Sequence, residues 1–287
     1  MNQISASARL PVLNRVLSAL RPACHALITP QAVVLDAGGG RVRPLVRQCS
    51  NPSGGLETQF EAAVADLLQL MDDSGFHGRR LHVVVSDFWA RPLVLPMQGQ
   101  MPSEEDVDVV LQSQYRRIYG DLMGGWHWCW DRQGARLLAV AWPEGGLAAL
   151  RQGIAQRNGV LASARPLAMD IAAKAGDEKT PSWLAIIEGQ SVSLLRQQGG
   201  VWEDWCVLPG DSSQAESLPV QLARETARRH DDCRAVTLVD LHGAANITLI
   251  RKTLADAGWA TKVWAPTQSD ASTGYRLWQA ISSGLST

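Results

Sequence analysis

The order of hydrophobic periodicities constrains this chain's fold more than any other feature, because the same order occurs twice. Three short strand-like runs at 24–29 (CHALIT), 32–36 (AVVLD) and 42–48 (VRPLVRQ) are separated by Pro30-Gln31 and by Ala37-Gly38-Gly39-Gly40, which are turn-forming residues. They predict an antiparallel meander. A helix follows at 57–72, with Phe60, Val64, Leu67, Leu68 and Met71 on one face, then a buried strand at 81–85 (LHVVV). After an interruption come a helix at 145–158, a short strand at 160–164 and a helix at 166–175. The pattern then restarts with strands at 183–188 (WLAIIE), 191–196 (SVSLLR) and 201–207 (VWEDWCV). Helix 214–230, strand 235–240 (AVTLVD), helix 246–257, strand 261–264 and a helix near 272–282 complete it. Each half reads βββαβαβα. Helices alternating with strands after a meander predict an α/β chain in which each half is a mixed sheet covered by helices, and equal order predicts a duplication.

The interruption in the first half, about 87–142, has its own pattern: a strand at 90–95 (ARPLVL), a helix at 103–118, and strands at 125–130 (GWHWCW) and 136–142 (RLLAVAW). Ser103 as N-cap and Glu104-Glu105-Asp106 against the helix dipole fix that helix start. These elements predict a small α+β insertion. Residues 1–21 predict an amphipathic helix at 5–20, with Leu10, Leu13, Val16, Leu17 and Leu20 on a narrow stripe. The expected organisation is therefore this helix, a first half over 22–178 with the insertion, and a second half over 179–287 without a large insertion of its own.

A chain with 46% apolar and 19% charged residues can bury a sizeable core. Its 27 basic and 28 acidic residues give a net charge of −1, without the basic field that nucleic acid or an anionic lipid surface requires. The five cysteines, Cys24, Cys49, Cys129, Cys206 and Cys233, are scattered and form no CxxC, so they read as reduced thiols, not as a zinc site. His230-Asp231-Asp232-Cys233 groups ligand-like residues, but adjacent residues rarely share one coordination sphere, and a helix-terminal loop is the simpler reading. There is no nucleophile elbow, Walker loop or Cys/His pair, and no metal or catalytic residue is expected. Trp126, Trp128 and Trp130 at period two place three indoles on one strand face, where packing is the ordinary role.

The ordered series His82-Val83-Val84-Val85-Ser86, Arg91-Pro92-Leu93-Val94-Leu95-Pro96, helix 103–118, the strand ending at Trp130, and Leu137-Leu138-Ala139-Val140-Ala141 resembles one branch of the actin-like superfamily. That branch comprises PilM of type IV pili and the cytoplasmic domain of GspL in type II secretion. The segment 183–210, closing in Leu208-Pro209-Gly210, resembles the meander that opens the second half of that family. The resemblance implies a duplicated actin-like (RNase H-like) fold. In that superfamily the hairpin turn between the first two strands of each half holds phosphate through backbone amides beside an Asp. Here the first such turn contains Thr29, Pro30 and Gln31, where Pro30 offers no N–H and no Asp precedes it. The second contains Gly189 and Ser191, with Ile187 where the family has Asp and Glu188 one place out of register, expected to face away. The nucleoside-binding Gly pair is reduced to His242-Gly243-Ala244, and the interval from Gly210 to Ala235 is too short for a second lobe. The resemblance therefore implies a degenerate cleft at Thr29, Gln31, Gly189, Ser191 and Gly243, with neither ATP nor magnesium bound. Asp36-Ala37-Gly38-Gly39-Gly40-Arg41 looks like a phosphate loop, but it follows the second strand and reads as a hairpin turn. The alternative, an ATP-binding protein, would use Gly38 to Gly40 with the register moved by one strand.

By resemblance, the chain is expected to be a non-enzymatic cytoplasmic scaffold, a pseudo-ATPase peripheral to the inner membrane through its partners. The implied partner is the short cytoplasmic N-terminus of a PilN-like or other bitopic membrane protein, with the assembly ATPase as a second partner and self-association into rings or filaments compatible with the family. An extended peptide would lie between the first half and the insertion, against Trp89, Arg91, Tyr115, Arg116 and Trp128.

Overall fold

The computed structural model describes residues 22–37, 43–50, 53–97, 103–120, 124–175, 180–188, 190–209, 217–230, 232–241, 244–265, 275–277 and 279. The helix expected at 5–20, the loop Gly38 to Gly40, Gly189 and Gly243 lie outside these residues.

The first half opens with β1 (Ala23–Ile28), β2 (Ala32–Asp36) and β3 (Leu45–Gln48), followed by α1 (Leu56–Asp73) and β4 (Arg80–Val85). A single 3₁₀ turn, Asp87–Trp89, leads into the insertion: β5 (Arg91–Pro96), α2 (Glu104–Tyr119), β6 (Trp126–Gln133) and β7 (Arg136–Pro143). The half closes with α3 (Glu144–Gln156), β8 (Val160–Pro166) and α4 (Leu167–Ala175). The second half contains β9 (Ser182–Glu188), β10 (Ser191–Gln198), β11 (Val201–Pro209), α5 (Ser217–Arg228), β12 (Ala235–Asp240), α6 (Ala244–Asp256) and β13 (Ala260–Val263), with residues 275–277 and 279 helical.

The two large sheets have the same strand order, β3-β2-β1-β4-β8 and β11-β10-β9-β12-β13, with β1–β4–β8 and β9–β12–β13 parallel. The repeat extends to single hydrogen bonds. Ser86 N–H donates to the Ile28 carbonyl as Leu241 N–H donates to that of Ile187, and Val160 N–H donates to Arg79 as Ala260 N–H donates to Arg234. Thr29 and Glu188, which follow Ile28 and Ile187, therefore occupy equivalent positions at the ends of β1 and β9.

The insertion is a separate three-stranded antiparallel sheet, β5-β7-β6. α2 covers it, and Val107, Leu111 and Tyr115 are buried against Leu93, Leu137 and Ala139. Ser103 caps α2 in a reciprocal box with Asp106, as the acidic helix start predicts. β6 runs three residues past the predicted Trp130, because the hairpin reverses at Gly134 (φ +59°), the last residue of the expected link Asp131 to Gly134. Trp126, Trp128 and Trp130 line one face of β6 and pack half-buried on the insertion core.

The second sheet presents two different faces. Trp183, Ala185 and Ile187 point to the helix layer of α5 and α6, where Leu218, Leu222, Ile250 and Leu254 are buried. Leu184, Ile186, Leu195, Trp202 and Val239 point the other way and join a single apolar core with the first half. α4 lies between the halves, packed on β4, β8 and β9.

Candidate functional site

Two places gather the residues that matter. The first is the junction of the halves, where the ends of β1, β4 and β9 converge. Alternation along β9 sends Ile187 into the α5/α6 layer and Glu188 toward the first half. This corrects the expectation that Glu188 faces away from the junction: Ile187 is the residue turned away, and an acid stands where the halves meet. Glu188 accepts from the Ser86 hydroxyl and, at 3.2 Å, from the Asp87 N–H. Asp87 Oδ2 accepts from the Ser193 hydroxyl at 2.8 Å and from the Ala168 N–H, at the start of α4, at 2.9 Å. Both carboxyls are buried, and burial is the first cause that pushes each of them upward; for Asp87 the neighbouring Glu188 adds to it. Thr29, at the position of the first half equivalent to Glu188, bonds within its own turn. Its hydroxyl donates to the Ala32 carbonyl at 2.7 Å and accepts from the Ala32 N–H at 3.0 Å, while the Thr29 N–H is bonded to the same carbonyl.

The second place is a recess of about 320 Å³ on the insertion, between α2 and the start of β6. Tyr115, Arg116, Trp126 and Trp128 line it, with Gly120, Gly124 and Gly125 leaving its rim open. The Tyr115 ring stacks on Trp128 with centroids 6.0 Å apart, and its hydroxyl donates to the Arg91 carbonyl at 3.0 Å. The Arg91 guanidinium lies 5.4 Å from the Trp126 ring centroid, and burial lowers its pKa. The Trp128 indole donates to Asp108 at 3.2 Å. The recess is thus a set of aromatic faces held by polar contacts at their edges, a surface suited to apolar and extended ligands.

No protein-family model and no curated protein sequence matches the chain. Solved structures do. A Bacteroides thetaiotaomicron protein with an actin-like ATPase fold superposes with a TM-score of 0.62 at 8% identity, over 93% of this chain and 96% of that one. The PilM–PilN type IV pilus biogenesis complex gives 0.61 at 14% identity, over 91% and 98%. This chain has the actin-like fold. The cytoplasmic domain of EpsL, an inner-membrane component of the type II secretion system of Vibrio cholerae, gives 0.50 at 8% identity, over 92% and 95%.

In this actin-like fold the turn at Thr29 closes on itself, so two of the amides that a phosphate would need are already bonded and Pro30 has none. Gln31 gives its carbonyl to the Cys49 N–H at 2.8 Å. Ser191 is buried at the opposite turn, its hydroxyl without a partner among the described residues. Of the five residues expected to meet a peptide, Tyr115, Arg116 and Trp128 line the recess and Arg91 supports it from behind. Trp89 does not belong there: it is fully buried in the first-half core, its ring 5.0 Å from that of Phe60. Trp126, passed over as one of three packing indoles, replaces it. Its signal was the adjacent Gly124-Gly125, which leaves one side of the ring uncovered. Asp87 was missed altogether, because nothing near it in sequence reveals a partner 101 residues away. Among the described residues no cluster of three metal-ligating side chains occurs, and no helix is long and apolar enough to cross a membrane.

Proposed function

We propose that this actin-like chain is a non-enzymatic scaffold of a type IV pilus or type II secretion assembly, acting at the cytoplasmic face of the inner membrane. It captures the short cytoplasmic N-terminus of a bitopic membrane protein. The observation that carries the reading is the recess of Tyr115, Arg116, Trp126 and Trp128. Rigid aromatic faces beside an exposed cation bind an extended peptide with little loss of side-chain entropy. Fold likeness to the PilM–PilN complex and to the EpsL cytoplasmic domain supports the choice of machine. The closed Thr29 turn and the mutually engaged acids Asp87 and Glu188 support the absence of ATP and magnesium from the cycle.

The test is a calorimetric titration of the chain with a synthetic peptide covering the first twenty or so residues of the bitopic protein encoded beside it. Micromolar binding is expected, weakened at least tenfold, about 1.4 kcal/mol, by Trp128→Ala and by Arg116→Glu. No binding at 100 times a micromolar Kd overturns the proposal. A thermal melt with millimolar Mg-ATP separates the enzymatic reading, since a nucleotide bound only to the folded state would raise Tm; no rise is expected.

A further inference from the structure

We propose that Asp87 and Glu188 share one proton and form a latch between the halves that loosens when the proton leaves. Asp87 follows β4 in the first half, and Glu188 ends β9 in the second. Every contact of the pair crosses the junction or anchors it: Ser86 hydroxyl and Asp87 N–H to Glu188, Ser193 hydroxyl and Ala168 N–H to Asp87. Three of the four carboxylate oxygens thus receive a donor. The fourth, Asp87 Oδ1, is buried and has none among the described residues. The two acids meet through the Asp87 N–H, which donates to Glu188, and both are buried. A proton on Asp87 Oδ1 donating to Glu188 satisfies the atom that otherwise lacks a donor and leaves a single negative charge in the cluster. Two carboxylates side by side in a buried site repel, and one proton removes that repulsion.

Among the described residues, no cation is bonded to the pair. Around it, Asp170 on α4 is bound to Arg165 of β8 at 2.6 Å. Arg196 on β10 turns to the Ser182 and Gln197 carbonyls. Glu203 and Asp204 on β11 pair with Arg136, Arg228 and Arg229. Asp240 at the end of β12 is in register with Ile187, on the face turned away. Lys174 on α4 is exposed, and Ser86, which follows β4, is bonded to Glu188.

The sign follows from proton counting. Burial raises both carboxyls above their unfolded values, so over the window from the ordinary carboxylate range up to the folded value of the shared proton the folded chain holds more protons than the unfolded one. The latch is therefore complete below that window and is lost as pH rises through it, up to tenfold in the folding constant per pH unit for each proton concerned.

The test uses the whole chain in urea titrations from pH 5 to 9, with hydrogen exchange read at the Asp87, Phe88 and Ala168 amides. Wild type is expected to lose stability on the alkaline side, with those amides exchanging faster. Asp87→Asn carries a fixed donor in place of the proton and is expected to flatten both trends. An equal alkaline loss in Asp87→Asn, or none in wild type, overturns the proposal. Carboxyl carbon-13 shifts on the labelled wild-type chain give a reading independent of any variant. One carboxyl still protonated at pH 6 supports the latch; complete ionisation by pH 5 refutes it.

Discussion

At the scale of single residues, the chain spends polar groups on closing its own turns and strand ends. The Thr29 hydroxyl serves both backbone groups of Ala32 inside a buried turn, so Thr29→Val removes a donor and an acceptor together. A loss of about 1–3 kcal/mol is expected in urea unfolding, with the response to Mg-ATP unchanged. If Thr29 instead served a phosphate, the nucleotide response would shift while baseline stability held. A second residue-level device lies at the start of the first sheet. His25 on β1 and His82 on β4 are in register, their rings stacked 5.3 Å apart, with His82 Nδ1 2.9 Å from the Ser163 hydroxyl. Burial lowers the pKa of both, and for His82 the charge of His25 adds to it. A depressed folded-state pKa gives stability that is present above the ordinary histidine range and lost as pH falls through the folded value. Acid titration below pH 6.5 should therefore destabilise the chain, and His82→Gln should flatten the decline. A decline of equal slope in the variant would assign it to other groups.

At the scale of elements, glycine permits a close helix contact. α3 packs on α1 with Gly146 and Gly153 seven residues apart on one helix face. A Cβ at Gly146 would lie 2.2 Å from Phe60 Cδ1, and Phe60 cannot retreat because its ring rests on Trp89. Gly146→Ala should cost up to about 2 kcal/mol, the overpacking penalty of roughly 1–3 kcal/mol less about 1 kcal/mol of helix propensity. A melt of unchanged midpoint would mean that α3 slides at no cost. The same pair of helices shows what sequence could reveal. α1 was legible because Phe60, Val64, Leu67 and Met71 repeat at helical spacing, and β9 and β10 because apolar runs ended at Gly189-Gln190. What stayed hidden were relations across the halves. Alternation along β9 correctly separated Ile187 from Glu188, yet which face meets the first half depends on where α5 and α6 dock, and periodicity carries no such information. For the same reason Trp89 and Trp128 looked alike as isolated aromatics, although one sits in the main core and the other on the recess.

At the scale of the whole molecule, the insertion ties the halves together in addition to extending the first. β5 lies beside β11, and Arg136 at the start of β7 reaches Glu203 on β11 at 2.8 Å. Glu203 also binds Arg229 at 3.3 Å, and Arg229 continues to Asp204 at 3.2 Å, which is bound by Arg228 as well. The network thus runs from the insertion through β11 to the end of α5, and it joins the apolar core and α4 in opposing any hinge between the halves. A rigid frame of this kind suits a scaffold that must hold a peptide recess at a fixed angle to other partners. Glu203 is the node, since removing its charge leaves Arg136 and Arg229 facing each other without an acid between them. Glu203→Gln should lower stability by about 1–2 kcal/mol, between the value of an exposed pair and that of a buried one because the partners are partly shielded. The effect should shrink in high salt, where screening weakens both the lost attraction and the new repulsion. Hydrogen exchange locates it: amides of β5 and β11 should exchange faster in the variant, while those of β1 and β4 keep wild-type protection. Uniform acceleration over all strands would show that the two halves and the insertion unfold as one unit and that no separable strap exists.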